Sequence, residues 1–294
     1  MSAMFYYERQ IRVEPIDYLL IGHVTQDLTP QGPVLGGTVS YSGLTALALG
    51  QRVGVVTACS PAFDLSRLDK LQVVNYPSEH TTTFQNLAMA DGGRTQYLHT
   101  PAARLDLSAV PELWRNAPIV HLAPVAGEVD PNLVRAFPNA QVYLTPQGWM
   151  RARDAQERVF FSEWPETTYV FRNANAAVLS IEDVEGDEAI IDDMLSSIRV
   201  LAVTEGADGA RVYWNGDVRR FRPPTVVESD PTGAGDIFAA AFFSRLFTTR
   251  DPWEAGRFAT QLAAYSVTRP GLSGAPTFEE IQLCAVEITQ RPET

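Results

Sequence analysis

Lysine is almost absent from this chain: among 23 basic residues in 294 positions, only Lys70 is a lysine. No GxxxxGK[ST] string occurs, which excludes a P-loop, and the strand lysine of protein-kinase chemistry has no good candidate. Any phosphate bound here must be neutralised by arginine, metal or main-chain N–H groups. Cysteine is equally scarce, and Cys59 and Cys284 cannot build a disulfide framework or a thiolate zinc site. His23, His80, His99 and His121 show no HExxH spacing, and without GxSxG a serine hydrolase is a poor reading. There is no apolar run of about 18 residues, and MSAMFYYERQIRVEP lacks the apolar core of a signal peptide, so the expectation is a cytoplasmic protein with no membrane partner. A net charge of −12 repels polynucleotides over most of the surface, although local donors can still hold a small anion.

What is present is an ordinary globular composition, 45% hydrophobic and 20% charged. DYLLIGHV, a glycine turn at Leu35-Gly36-Gly37, the helix-length TVSYSGLTALALG and the strand RVGVVTAC read as a β-α-β unit. Between Val73 and Thr100 the pattern changes to β-branched alternation around Asp91-Gly92-Gly93, an expected antiparallel insert. Alternation then resumes through APIVHLAP, AQVYLTPQG, AAVLS with a helix from Ile181 to Ser197, and VLAVTEG. A hairpin turning at Asn215-Gly216 and helices from Trp253 to Thr268 and Thr277 to Thr289 follow. The count predicts seven or more largely parallel strands, with ligands at their carboxyl ends.

The segment ESDPTGAGDIFAAAF, Glu228 to Phe242, is the most suggestive. Glycines at 233 and 235 allow close approach of the main chain, the start of a helix attracts an anion, and Asp236 would lie beside it. The same residues also fit a tight turn with a favourable N-terminal charge, and on their own they leave both readings open. Phe238 occupies the third glycine position of a dinucleotide fingerprint, which counts against a nicotinamide-dependent dehydrogenase.

DPTGAGD resembles the D-T-x-G-A-G-D signature of the ribokinase-like (PfkB) carbohydrate kinases. IGHVTQD with LGGTVSYSGLTALALG, VTEGADGARVYW and AAYSVTRPGLSGAP resemble further parts of that family in order, over nearly the whole chain. The resemblance implies a three-layer α/β/α fold over residues 1–294, with a central mostly parallel sheet and a small β lid from residues 73–100 and part of 9–16. It implies ATP-dependent transfer of a phosphoryl group to a sugar or polyol hydroxyl, with Asp236 as general base and Gly233-Ala234-Gly235 as anion hole. Asp27, Gly36, Gly37 and Tyr41 would face the acceptor; Thr204, Gly206, Gly271 and Gly274 would face the nucleotide. Pairing of lids between subunits would make a homodimer.

Several positions depart from the family pattern. Tyr41 replaces a common asparagine, which directs attention to acceptors other than ribose or fructose, including nucleosides and cyclitols. TPQGWMR and VLSIEDV resemble inositol-kinase-like members, making Gln147 and Arg151 candidate polar contacts. The family's N-x-x-E, which organises water around Mg2+, aligns with Ser180-x-x-Asp183, with Glu182 adjacent; the same residues fit a helix N-cap. Asp230 is the candidate for a monovalent cation, K+, beside Pro231, which replaces the usual threonine. A catalytically degenerate binding protein of the same fold is the rival reading.

Overall fold

The computed structural model describes residues 13–88 and 94–285. Strand β1 (Tyr18–Ile21) leads into a hairpin of β2 (Thr25–Thr29) and β3 (Gly32–Gly36), helix α1 (Thr38–Ala48), and strands β4 (Val53–Cys59) and β5 (Gln72–Pro77). A second hairpin, β6 (Thr82–Ala88) and β7 (Arg94–Thr100), precedes β8 (Ile119–Leu122), β9 (Gln141–Leu144), and the short β10 (Arg151–Arg153) and β11 (Val159–Phe161). There follow α2 (Thr167–Asn173), β12 (Ala176–Ser180), α3 (Glu188–Leu195), β13 (Val200–Thr204), β14 (Ala210–Trp214) and β15 (Asp217–Phe221). Helices α4 (Ala234–Thr249), α5 (Pro252–Ser266) and α6 (Phe278–Ala285) complete the described chain.

Nine strands form the main sheet in the order β15-β14-β13-β12-β9-β8-β1-β4-β5. It is parallel from β5 to β13, and β14 and β15 extend it as antiparallel strands. Helices cover both faces, so β1 and β4 are buried throughout and read as continuous apolar runs. Alternate residues feed two cores. Leu19 and Ile21 join Trp114, Trp149 and Phe171 on one side, and Tyr18 and Leu20 join Phe238, Phe242 and Phe243 on the other. Each fully buried phenylalanine stabilises by about 1.5–3 kcal/mol, and α4, apolar on nearly every side, is held between the sheet, α1 and α5.

The expected turn at Asn215-Gly216 has φ of 53° and 83°, the paired left-handed geometry of a type I′ hairpin. The expected helix from Ile181 to Ser197 is interrupted: a short 3-10 turn, Ile181–Val184, is separated from α3 by Glu185 and Gly186, both with positive φ, and the N-cap Asp187.

A second sheet of four strands, ordered β3-β2-β6-β7, stands apart from the main one. Its boundaries differ from the sequence expectation. Residues 73–77 belong to β5, paired in parallel with β4 in the main sheet, and the insert begins at Thr82. Residues 13–16 form no strand, while 9–12 and Asp91-Gly92-Gly93 lie outside the described residues. The other two strands of this sheet come from 25–36, where Pro33 and two glycines mask the alternation, and Asp27 lies within β2. His23 bonds at the junction of the two sheets. Its Nε2 donates to the Ala103 carbonyl at 2.8 Å, which leaves Nδ1 to accept from Thr82 Oγ1 at 2.6 Å.

Candidate active site

The carboxyl ends of β9, β12 and β13, the N-termini of α1 and α4, and the inner face of the small sheet enclose a cavity of about 1410 Å3. Asp236 is in the first turn of α4, after Gly233, whose φ of 81° and ψ of −1° are left-handed and unfavourable for a residue carrying Cβ. Among the described residues the N–H groups of Gly233, Gly235 and Asp236 have no hydrogen-bond acceptor, whereas Ala234 N–H donates to Pro231 O at 3.2 Å. Three unpaired donors thus border the cavity beside a carboxylate, the arrangement of an anion hole with a base at its edge.

Burial of the Asp236 carboxyl group raises its pKa to about 6. The charges of Asp183 and Asp27 push the same way, while a side-chain hydrogen bond from Thr38 and the charge of Arg151 oppose them. The group is therefore ionised at neutral pH yet basic enough to accept a proton. Thr38, on α1, bonds the carboxylate, and Ser42 on the same helix donates to the main-chain carbonyl of Asp236.

Across the cavity, Asp27 Oδ1 accepts from Thr25 Oγ1 at 2.9 Å. A Cβ on Gly36 would overlap the Asp27 carboxylate, and one on Gly37, at φ 90°, would come within 2.5 Å of the His23 carbonyl. Here glycine is required by crowding as much as by conformation. The Arg151 guanidinium donates to Val125 O at 3.2 Å and lies over the Phe84 ring at 5.8 Å.

Gln147 Nε2 donates to Asp183 Oδ1 at 2.6 Å, and Asp183 Oδ2 accepts from Ser180 N–H at 2.8 Å in a reciprocal capping box. Asp183 and Glu182 both line the cavity at the carboxyl end of β12. A Mg2+ ion takes one or two carboxylates, several waters and substrate phosphates, so this donor set fits in kind. Among the described residues no group of three His, Cys, Asp or Glu side chains forms a fully protein-built metal cage.

Thr204 and Gly206 lie at the far end of the cavity with Ala207, Gly209, Pro223 and Val226. Gly36, Asp230, Gly271 and Gly274 do not line it. Asp230 Oδ1 accepts from Thr232 N–H at 2.9 Å and Oδ2 from Gly271 N–H at 2.8 Å, so its carboxylate pins the loop Gly271–Gly274 to the start of the motif. Burial alone would raise its pKa, but these bonds hold it below the usual value. A Cβ on Gly274 would meet the Ser266 carbonyl at 2.8 Å, so that glycine serves close packing.

Sequence reasoning missed Thr38, Phe84 and Arg158, which also line the cavity. Arg158 comes from the β10–β11 hairpin. The short β-branched and aromatic run VFF after the Asp154–Glu157 turn was the available signal, weakened by the shortness of both strands. That hairpin meets β7 through Leu98 N–H to Glu157 O at 2.9 Å and a 2.7 Å contact of His99 with Glu157.

The fold and motifs have relatives. The chain is 41% identical to an inositol 3-kinase of Oryza sativa subsp. japonica over 85 residues, 29% of this chain and 21% of the relative. It is 30% identical to an inositol 3-kinase of Zea mays over 165 residues, 55% of this chain and 42% of the relative. The matches thus span less than half the length of those relatives. In structure it is similar to a pyrophosphate-dependent kinase in the ribokinase family complexed with a pyrophosphate analog and myo-inositol, with TM-score 0.73 and 21% identity, covering 90% of this chain and 99% of that one. The profile of the pfkB family carbohydrate kinases matches residues 67–277, well over half of the sequence, and the chain belongs to that family.

Proposed function

We propose that the chain transfers the terminal phosphoryl group of ATP to a hydroxyl of a polyol, with a cyclitol such as inositol as the first acceptor to test. The observation that carries the reading is the juxtaposition of Asp236 with the unpaired N–H groups of Gly233 and Gly235 on one wall of a cavity that reaches from Asp27 to Thr204. The inositol 3-kinase relatives point to the acceptor class.

The acceptor hydroxyl lies against Asp27 and Arg151 and gives its proton to Asp236, while its oxygen forms the bond to phosphorus and the bond to the departing phosphate oxygen breaks. Charge on the transferring group is met by the main-chain donors, which need no reorganisation because α4 is rigidly packed. Asp183 and Glu182 would hold Mg2+, which supplies neutralisation of the donor phosphates. The small sheet and the β10–β11 hairpin exclude water, so that transfer to the polyol prevails over hydrolysis.

Labelled ATP and, separately, labelled pyrophosphate, each with Mg2+, are to be incubated with the chain and a panel of cyclitols, sugars and nucleosides. Transfer from ATP to a cyclitol supports the reading. Transfer only from pyrophosphate corrects the donor, and saturable acceptor binding without turnover on any pair assigns a binding protein instead.

A further inference from the structure

Tyr41 lies on α1 and is 5% exposed. Its ring rests on the main chain of Gly233, so closely that a Cβ built there would overlap Cγ, Cδ1 and Cε1 of the ring. Those atoms belong to a rigid plane rather than to the end of a flexible side chain. Ile237 and Leu272 share a buried cluster with the ring, and Leu35 and Leu44 pack against it. The hydroxyl is 3.9 Å from the position a Cβ would take on Gly271.

Three segments therefore meet at one ring: α1, the Gly233 turn and the loop Gly271–Gly274. The turn has few restraints of its own. Among the described residues its cavity-facing amides are unpaired, and the backbone hydrogen bonds within it are those of Ala234 N–H to Pro231 O at 3.2 Å and Ile237 N–H to Gly233 O at 2.9 Å. A left-handed residue held so lightly is kept in place by packing, and a buried aromatic plane with two side-chain torsions is a stiff support.

We infer that Tyr41 is a positioning residue, which holds Gly233 in the conformation that aims the unpaired amides at the transferring phosphoryl group, and that its ring acts on that turn rather than reading acceptor hydroxyls. The inference deepens the proposed function and rests on the anion-hole role of the turn. It also gives the replacement of a small polar residue by an aromatic one a defined purpose: the ring fills the space behind a turn that only glycine can make.

The test compares Tyr41→Ala with Tyr41→Phe by hydrogen–deuterium exchange of the segment Ser229 to Phe238 and by kinetics over several acceptors. Tyr41→Ala should speed exchange in that segment and lower kcat by about 10–100-fold, with acceptor KM changed less than about twofold and the order of acceptors preserved. Tyr41→Phe, which keeps the ring, should recover slow exchange and most of the lost kcat. Should Tyr41→Ala fail to fold, Tyr41→Leu carries the same comparison, because it fills the space without a flat face. Exchange is measured without substrate, so a wild type inactive on every acceptor sinks the kinase reading while the exchange result still decides the support role. Unchanged exchange in the alanine and leucine variants, or a reordered acceptor preference with kcat intact, overturns the inference.

Discussion

Ser42 Oγ donates a 2.9 Å hydrogen bond to the main-chain carbonyl of Asp236, joining α1 to the first turn of α4. The two helices each begin at a glycine with positive φ, Gly37 and Gly233, and each brings a wall of the cavity with it. The two walls, with Asp27 on one side and Asp236 on the other, are thus fixed to one another by secondary structure, which is how a site is held to a few tenths of an ångström.

In the proposed reaction the pKa of Asp236, raised to about 6 by burial, would set the pH dependence of transfer. A base must be ionised, so kcat/KM should fall as pH drops through about 6 and level off above about 7. Arg151 favours the ionised form, so Arg151→Ala should move this acidic limb to higher pH besides weakening acceptor binding. The measurement is the pH–rate profile of both proteins. A limb near the ordinary carboxylate value, unmoved by the substitution, would count against Asp236 as the titrating group.

Gly36 bears on Asp27 by crowding. An added methyl would overlap the Asp27 carboxylate, the mobile end of a side chain, so the carboxylate swings away while the strand persists. Gly36→Ala should raise acceptor KM by about tenfold, the equivalent of one charge-assisted hydrogen bond, and leave Tm within a few degrees. An unchanged KM in steady-state kinetics would remove Asp27 from acceptor binding.

His121 is fully buried between Tyr18 Oη at 3.1 Å and Thr145 Oγ1 at 3.0 Å, with the Phe243 ring edge-on at 4.9 Å. Burial lowers its pKa from 6.5 to about 3. The depressed value means the folded state resists protonation. Stability is complete above the unfolded value of 6.5 and is lost as pH falls toward 3, by about 2 kcal/mol at pH 5. Asp236, whose pKa is raised, opposes this below about 6, because the fold gains stability once that carboxylate is protonated. Denaturant titrations from pH 8 to 5 should show a smaller acid loss in His121→Gln than in the wild type. Equal slopes would contradict the assignment.

Much of this architecture is legible in the amino acids. YLLI and VGVVTAC are apolar on both faces because helices cover both, and Asn215-Gly216 specifies its turn by local conformation alone. The small sheet was harder to delimit. Pro33 and Gly36 in β3 look like loop residues, and pairing of β2 with β6, over fifty positions along the chain, leaves no local trace. Gly233, Asp236 and Asp27 lie in motifs, whereas nothing local marks Thr38, its contact with Asp236 being set by the packing of α1 on α4. Asp230 and Gly271 carry the family pattern, but their mutual hydrogen bond and their distance from the cavity surface belong to tertiary structure.

The most direct test of the central claim is the turnover of Asp236→Asn in transfer of labelled phosphoryl from the active donor to the preferred acceptor. The substitution removes the proposed base and also removes a buried charge whose folded pKa is raised, so Tm at pH 7 should rise slightly, separating lost chemistry from lost fold. The account predicts a fall in kcat of about 10²–10⁴ with acceptor KM little changed. A variant that transfers phosphoryl at a near-normal kcat would contradict it.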